Sequence, residues 1–406
     1  ATDFTTSSDQ IAIAPGSLIN KKVVGNRTTY SYQLDHYALN FYSFMSAAYQ
    51  VERKKWKDID LEVYYTPEHK YNVKKMIASL ENSLSYYTEH FGPYYNKQAR
   101  IIEFPRYSSF AQAFPGTMPY SEGIGFIANL EDSNAIDMVY YVVAHEMGHQ
   151  WWAHQVTGAN MQGATLLSET MAQYSALMVM EKMYGKKMMY KFLKYEMDNY
   201  LRSRGSERVK ESPLLRVENQ GYIHYRKGSV VMYYLKEMIG EKAVNSALKD
   251  MIDSLAYQQP PYPNAYMLVD RFNAVTPDSL KYLIQDLFYD ITLFGNRTTN
   301  ATYKKLAGGK YEVSFDVEAM KFKADSMGKE TDVKINDWIE IGVRAKAKDG
   351  EKIGKQIYSQ MIKFDKSKST YKVLVNELPY EAGIDPNFML IDRIPGDNMK
   401  KLDLKE

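Results

Sequence analysis

From Glu68 to His90 apolar residues recur at spacings of three and four, at Val73, Met76, Ile77, Leu80, Leu84 and Tyr87. That stripe predicts an amphipathic helix, and Gly92-Pro93 predicts its end. Before it, Ser31 to Val51 runs through Tyr, Leu, Phe and Ala with few turn residues until the charged turn Glu52-Arg53-Lys54-Lys55, and Leu61 to Tyr65 follows. This opening reads as strands. Arg100 to Phe104 and Gly125 to Ala128 read as short strands of the same mixed sheet. Between Asn134 and about Leu287 helical patterns dominate, interrupted by Gly158, by Gly163 and by the polar loop from Ser203 to Glu218. After Phe294 the pattern changes to alternation, as in Tyr311 to Val317 and Trp338 to Val343, which predicts an antiparallel β-sandwich. The fold class is therefore α+β, without an internal repeat of fixed period.

Length and charge narrow the picture. At 406 residues the chain is expected to form two or three domains. Its 51 basic and 49 acidic residues leave a net charge of +2 with no long basic block, so a nucleic-acid partner is not indicated. The absence of cysteine excludes disulfides and thiolate chemistry and leaves the compartment open. No apolar run approaches the ~18–20 residues that cross a bilayer, so the chain reads as soluble. The first residue, Ala1, fits either processing or a piece of a longer protein.

Candidate chemistry is concentrated in Val142 to Trp151, where His145-Glu146-Met147-Gly148-His149 gives His-Glu-x-x-His inside a helical pattern. Positions i and i+4 return to one helix face about 6 Å apart, so both imidazoles can reach one ion. Neutral imidazole nitrogen suits zinc, and Glu146 beside the pair can take a proton from a metal-bound water without being a ligand. A second helix beginning near Leu166 presents Glu169 to complete a tripod. Two His and one carboxylate with a fourth position open is the pattern of a catalytic rather than a structural zinc site.

These residues resemble the gluzincin metallopeptidases and, more narrowly, the M1 aminopeptidase family, whose pattern is HExxH, eighteen residues, then Glu. The resemblance covers His145 to Trp152 and Leu167 to Tyr174. Nineteen residues separate His149 from Glu169 here, with Ser168 at the strict spacing; Gly158 and Gly163 are expected to absorb the extra residue in the connecting loop. Tyr225-Arg226-Lys227-Gly228 is similar to the family's Tyr-x-Lys-Gly element, whose tyrosine steadies the oxyanion. The family also has a Gly-x-Met-Glu-Asn loop whose Glu binds the substrate's free amino group. Pro119 to Ile127 stands in the corresponding place and keeps Glu122 without the Gly, Met and Asn.

The resemblance implies a thermolysin-like catalytic domain over 58–293, preceded by a remnant of an amino-terminal β-domain over 1–57 and followed by a β-sandwich over 294–406. It implies one zinc ion and a peptide substrate shortened from its amino terminus. The whole chain is similar to the soluble M1-like region of bacterial proteins fused to an ABC-2 type transporter permease. On that footing a membrane-associated, extracytoplasmic place is expected, with the permease region lying outside this chain. The alternative from another class is a peptide-binding or sensing module of such a transporter. Trp151 and Trp152 read as core packing, and His154, five residues past His149, turns away from the ligand face.

Overall fold

The computed structural model describes residues 1–132, 135–351 and 353–405. Asn134, where the helical pattern begins in the sequence, and Glu406, the end of the predicted sandwich, lie outside them. The chain divides into two compact units, Ala1–Met189 with Ile239–Pro277, and Tyr190–Met238 with Asp278–Glu406. Both helices and strands build it, the α+β class that the sequence predicts.

The first unit opens with β1 (Thr2–Ser7), β2 (Ile11–Ile13), β3 (Ser17–Val24), β4 (Arg27–Gln33) and β5 (Met45–Ala47), followed by β6 (Gln50–Trp56) and β7 (Ile59–Tyr65). Helix α1 (Val73–His90) crosses over to β8 (Gln98–Phe104), and β9 (Thr117–Ser121) completes a sheet of order β6-β7-β8-β9. In that sheet β6 and β7 are antiparallel and the other two pairings parallel. The residues Glu52 to Lys55 are not a turn but part of β6. They lie on an edge strand, where exposed charge discourages pairing with another chain, and Arg53 and Lys55 pair across to Glu62 and Asp60 of β7.

Gly125 to Ala128 is likewise not a strand. Those residues form a turn and its exit, and the Asn72 side-chain amide donates to the carbonyls of Gly125 (2.7 Å) and Ala128 (2.9 Å) just before α1 begins. The strand in this part of the chain is β9, which the sequence reading missed.

Helices α2 (Met138–Gly148) and α3 (Met171–Tyr184) pack on α1, whose Met76, Leu80, Leu84 and Tyr87 are fully buried. Trp151 and Trp152, also fully buried, donate from their indole nitrogens to Gly92 O (3.1 Å) and Ser175 Oγ (2.9 Å). Helices α4 (Lys186–Arg204) and α5 (Gly228–Ile239) run through the second unit, and α6 (Glu241–Leu255) and α7 (Ala265–Val275) return to the first. No described helix is long and apolar enough to cross a membrane.

The second unit carries β10 (Ile291–Lys305), β11 (Tyr311–Ala324), β12 (Glu330–Val333), β13 (Asp337–Arg344), β14 (Gln356–Phe364), β15 (Lys368–Val375), β16 (Glu381–Ile384), β17 (Met399–Lys401) and β18 (Asp403–Leu404). They form one sheet of β12-β11-β10-β18 with β15 against β11, and another of β14-β13-β16-β17. Alternate residues of β11, from Val313 through Phe315 and Val317 to Ala319, are buried, the half-buried pattern read in the sequence. All pairings are antiparallel except β10 with β18.

Candidate metal centre

Helix α2 places the first two candidate ligands. The Asp137 carboxylate caps it by accepting from Tyr140 N (3.0 Å), satisfying an amide that has no partner inside the helix. Asp137 is held in turn by Lys75 of α1 (2.6 Å) and by the Tyr184 hydroxyl of α3 (2.7 Å), so the cap ties three helices together. At the other end Gly148 lets the helices meet closely: a Cβ there would lie 3.1 Å from Ala172 Cα, which is how closely α3 approaches. That approach brings the start of α3 level with the two histidines.

Glu169 sits in a π turn, Leu166–Thr170, which leads directly into α3. A π turn takes up one residue more than an α turn, and such bulges concentrate at functional sites. Glu169 is thus presented from a widened turn, while Gly158 and Gly163 lie in the non-helical connection between α2 and that turn.

The three side chains converge. His145 Nε2 and His149 Nε2 lie 3.1 Å apart, and Glu169 Oε2 lies 3.4 Å from the first and 3.2 Å from the second. A tetrahedral zinc with ligand distances near 2.0–2.1 Å sets its donor atoms roughly 3.3 Å apart. The observed separations bracket that value, so the residues fit a zinc ion. The imidazole of His149 also donates from Nδ1 to Trp152 O (2.9 Å), which turns Nε2 toward His145 and Glu169.

Electrostatics agree with the geometry. Burial drives the His149 imidazole toward its neutral form, but the Glu169 carboxylate outweighs burial and raises it to about 9. Burial likewise opposes ionisation of Glu169, yet the two imidazoles hold it well below the usual carboxylate range. A proton on His149 thus does for Glu169 what a metal cation does. Glu146 is different: burial raises it above the usual range, the imidazoles and an Ala113 backbone N–H pull it back, and its Oε2 is buried without a hydrogen-bond partner. It is a carboxylate with spare acceptor capacity beside the ligands.

Ala113 was not legible as part of this centre. Its short segment continues the sheet beyond β9, through bridges Ala111 to Tyr120 and Phe114 to Thr117, and its carbonyl accepts from His154 Nε2 at 3.2 Å. Burial pushes His154 down to about 4, so it stays neutral where it holds the Ala113 carbonyl.

Glu122 belongs to another cluster, with His69 and Glu103, whose potential ligand atoms lie within 4.8 Å of one another. His69 Nδ1 contacts Glu103, which is 2% exposed, and stands 3.7 Å from Glu122; Arg106 approaches Glu122 at 3.7 Å as well. Neither His69 nor Arg106 carried any signal in the sequence that tied it to Glu122. Tyr225 lies in the second unit, in a π turn, Tyr222–Lys227, that opens α5. Its ring meets that of His224 edge to face, with centroids 4.3 Å apart.

Residues 76–277 match the Peptidase family M1 domain. A stretch of 209 residues is 22% identical to endoplasmic reticulum aminopeptidase 2 of Homo sapiens, covering 49% of this chain and 22% of that protein. The likeness thus spans under a quarter of that relative's length. The two imidazoles and the carboxylate gathered at zinc spacing lie inside the stretch, residues 76–277, that is similar to the Peptidase family M1 domain.

Proposed function

We propose that this chain hydrolyses peptide bonds with one zinc ion held by His145, His149 and Glu169, and that it removes residues from the amino termini of peptides. The observation that carries the reading is the convergence of three zinc-compatible donor atoms beside a buried carboxylate, Glu146, that is not itself a ligand. When bound, zinc supplies Lewis acidity that lowers the pKa of a water from about 15.7 to about 7. Glu146 accepts the proton of the attacking water and passes it to the leaving amine. Burial favours this exchange, because a carboxyl raised above its ordinary range holds a proton more readily at neutral pH. The Tyr225 hydroxyl donates a hydrogen bond to the scissile carbonyl oxygen as it gains charge. Glu122 receives the substrate's ammonium group, in exchange for its contacts with His69 and Arg106. The match to the Peptidase family M1 domain and the name of the human relative support this reading.

A panel of aminoacyl arylamides and amino-terminally blocked peptides, each assayed with and without a chelator, tests it. Chelator-sensitive cleavage of the free-amino substrates is expected. Cleavage of blocked peptides alone would make the chain an endopeptidase, and no chelator-sensitive turnover on any substrate would leave the binding module as the better reading.

A further inference from the structure

The turn that carries Tyr225 is fastened to a buried carboxylate through its immediate neighbour. A π turn has few favourable bonds of its own and persists where side chains hold it. Three side chains of Tyr222–Lys227 reach acidic partners on α4 or the loop after it. Tyr222 Oη donates to Glu207 at 3.0 Å, Arg226 Nη1 donates to Glu196 Oε1 at 2.8 Å, and Lys227 Nζ stands 3.9 Å from Glu211. They are not equivalent. Glu207 is only partly buried, and the Lys227 contact is longer than a hydrogen bond. Glu196 is 0% exposed, and the Arg226 guanidinium that reaches it also lies over the Tyr195 ring, 5.4 Å from its centroid. Adjacent residues of α4 thus hold one guanidinium from two directions.

A buried carboxylate is a costly anchor when an apolar pair of similar volume would pack as well. The cost is visible here: Glu196 Oε2 has no hydrogen-bond partner, and burial raises the carboxyl to about 7 although Arg226 pulls it down. What a guanidinium held by a carboxylate and an aromatic face does supply is a fixed direction, since its planar fork admits few geometries. Arg226 adjoins Tyr225 in the same turn, so fixing one backbone position constrains the next.

We propose that Glu196 and Arg226 are positioning residues for Tyr225, the pair holding the π turn so that the phenol is presented in one orientation. This rests on the reading of Tyr225 as the donor to the reacting carbonyl. The pair touches neither substrate nor metal; it acts through the tyrosine.

A double-mutant cycle on the zinc-loaded full chain tests the proposal, comparing Arg226→Ala, Tyr225→Phe and the two combined. Arg226→Ala is expected to lower kcat about tenfold while KM and zinc content stay unchanged, and to have no further effect when combined with Tyr225→Phe. Arg226→Lys, which keeps the charge without the fork, recovers only part of the loss. In the zinc-free protein, amides of residues 222–228 exchange with solvent faster in Arg226→Ala than in the parent, whereas those of β11 and β13 do not. Should Arg226→Ala fail to fold, Glu196→Gln, which retains one acceptor, enters the same cycle. Equal losses from Arg226→Ala in the parent and in the Tyr225→Phe variant, or unaltered exchange of the turn, overturn the proposal while leaving the tyrosine's role intact. A rate unmoved by Tyr225→Phe alone removes that role and the proposal with it.

Discussion

Among the described residues, two groups of His and Glu side chains in the first unit are close enough to hold a metal ion, and they are built oppositely. In the cluster of His69, Glu103 and Glu122, acceptors already meet donors: Glu103 takes the Thr66 amide and the His69 ring, and Glu122 faces His69 and Arg106. In the cluster of His145, His149 and Glu169, two ring nitrogens face one another and a carboxylate oxygen faces both. Ligand-type residues at ligand distance are common to both. What differs is electrostatic arrangement: the first group pairs its acceptors with donors, whereas the second turns ring nitrogens and a carboxylate oxygen toward one point that a cation would satisfy. A metal site is thus better recognised by what its donors lack than by their identity.

The largest effect that separates the two groups lies at Glu146, beside one of them, and Glu103, within the other. Glu146→Gln is expected to retain zinc and lose hydrolysis by about a hundred- to ten-thousandfold, because it removes proton transfer and leaves the ligands untouched. Glu103→Gln should do the reverse, leaving zinc content and turnover in place while destabilising the fold by about 3 kcal/mol, the scale of breaking a buried pair. Zinc titration, steady-state rates and urea unfolding of both variants check this. A second equivalent of tightly bound zinc that vanishes with Glu103→Gln would erase the distinction.

The distinction also explains what could be read from sequence. His145, Glu146 and His149 are legible because helix geometry alone relates i to i+4, and α1 is legible because its stripe repeats for five turns. Glu169 is legible as a carboxylate at the start of the next helix and through the resemblance to a family spacing, but the π turn that aims it is not, since a widened turn leaves no mark in the apolar pattern. Glu52 to Lys55 mimic a turn because a sheet edge and a turn both favour charge. Gly125 to Ala128 mimic a strand because four residues carry too little periodicity to tell apolar packing from alternation; Gly125 is apolar and close-packed against Met76 and Tyr120 instead. The partners of Glu122 are set by tertiary structure, with His69 arriving from the segment before α1 and Arg106 from the loop after β8, so no local pattern could reveal them.

Glu122 itself sharpens the comparison, because the proposed function asks one member of the satisfied cluster to accept a substrate ammonium. Glu122→Gln is expected to lower kcat/KM for free-amino substrates by about ten- to a hundredfold, from the 1.5–3 kcal/mol of a hydrogen bond between charged groups, and to leave blocked peptides unaffected. Arg106, with 72% of its side chain exposed, holds Glu122 only weakly at 3.7 Å, so a substrate amine can displace it. An equal change on both substrate types would return Glu122 to a purely structural part.

Glu196 supplies an intermediate case and the smallest effect. Like Glu146 it has a buried oxygen without a partner, but it faces a guanidinium and no histidine pair, and burial leaves it raised to about 7. Between its ordinary pKa of 4.5 and about 7 the folded chain therefore binds more protons at this site than the unfolded chain does. Stability must fall as pH rises through that window and level off above it. Glu196→Gln removes the titration, so the melting temperature of the variant relative to the parent should climb by on the order of 2 °C from pH 5 to pH 8. Parallel melting curves across that range would mean that Arg226 keeps Glu196 ionised throughout, and an unpartnered buried oxygen would then be no guide to a carboxyl's charge in this protein.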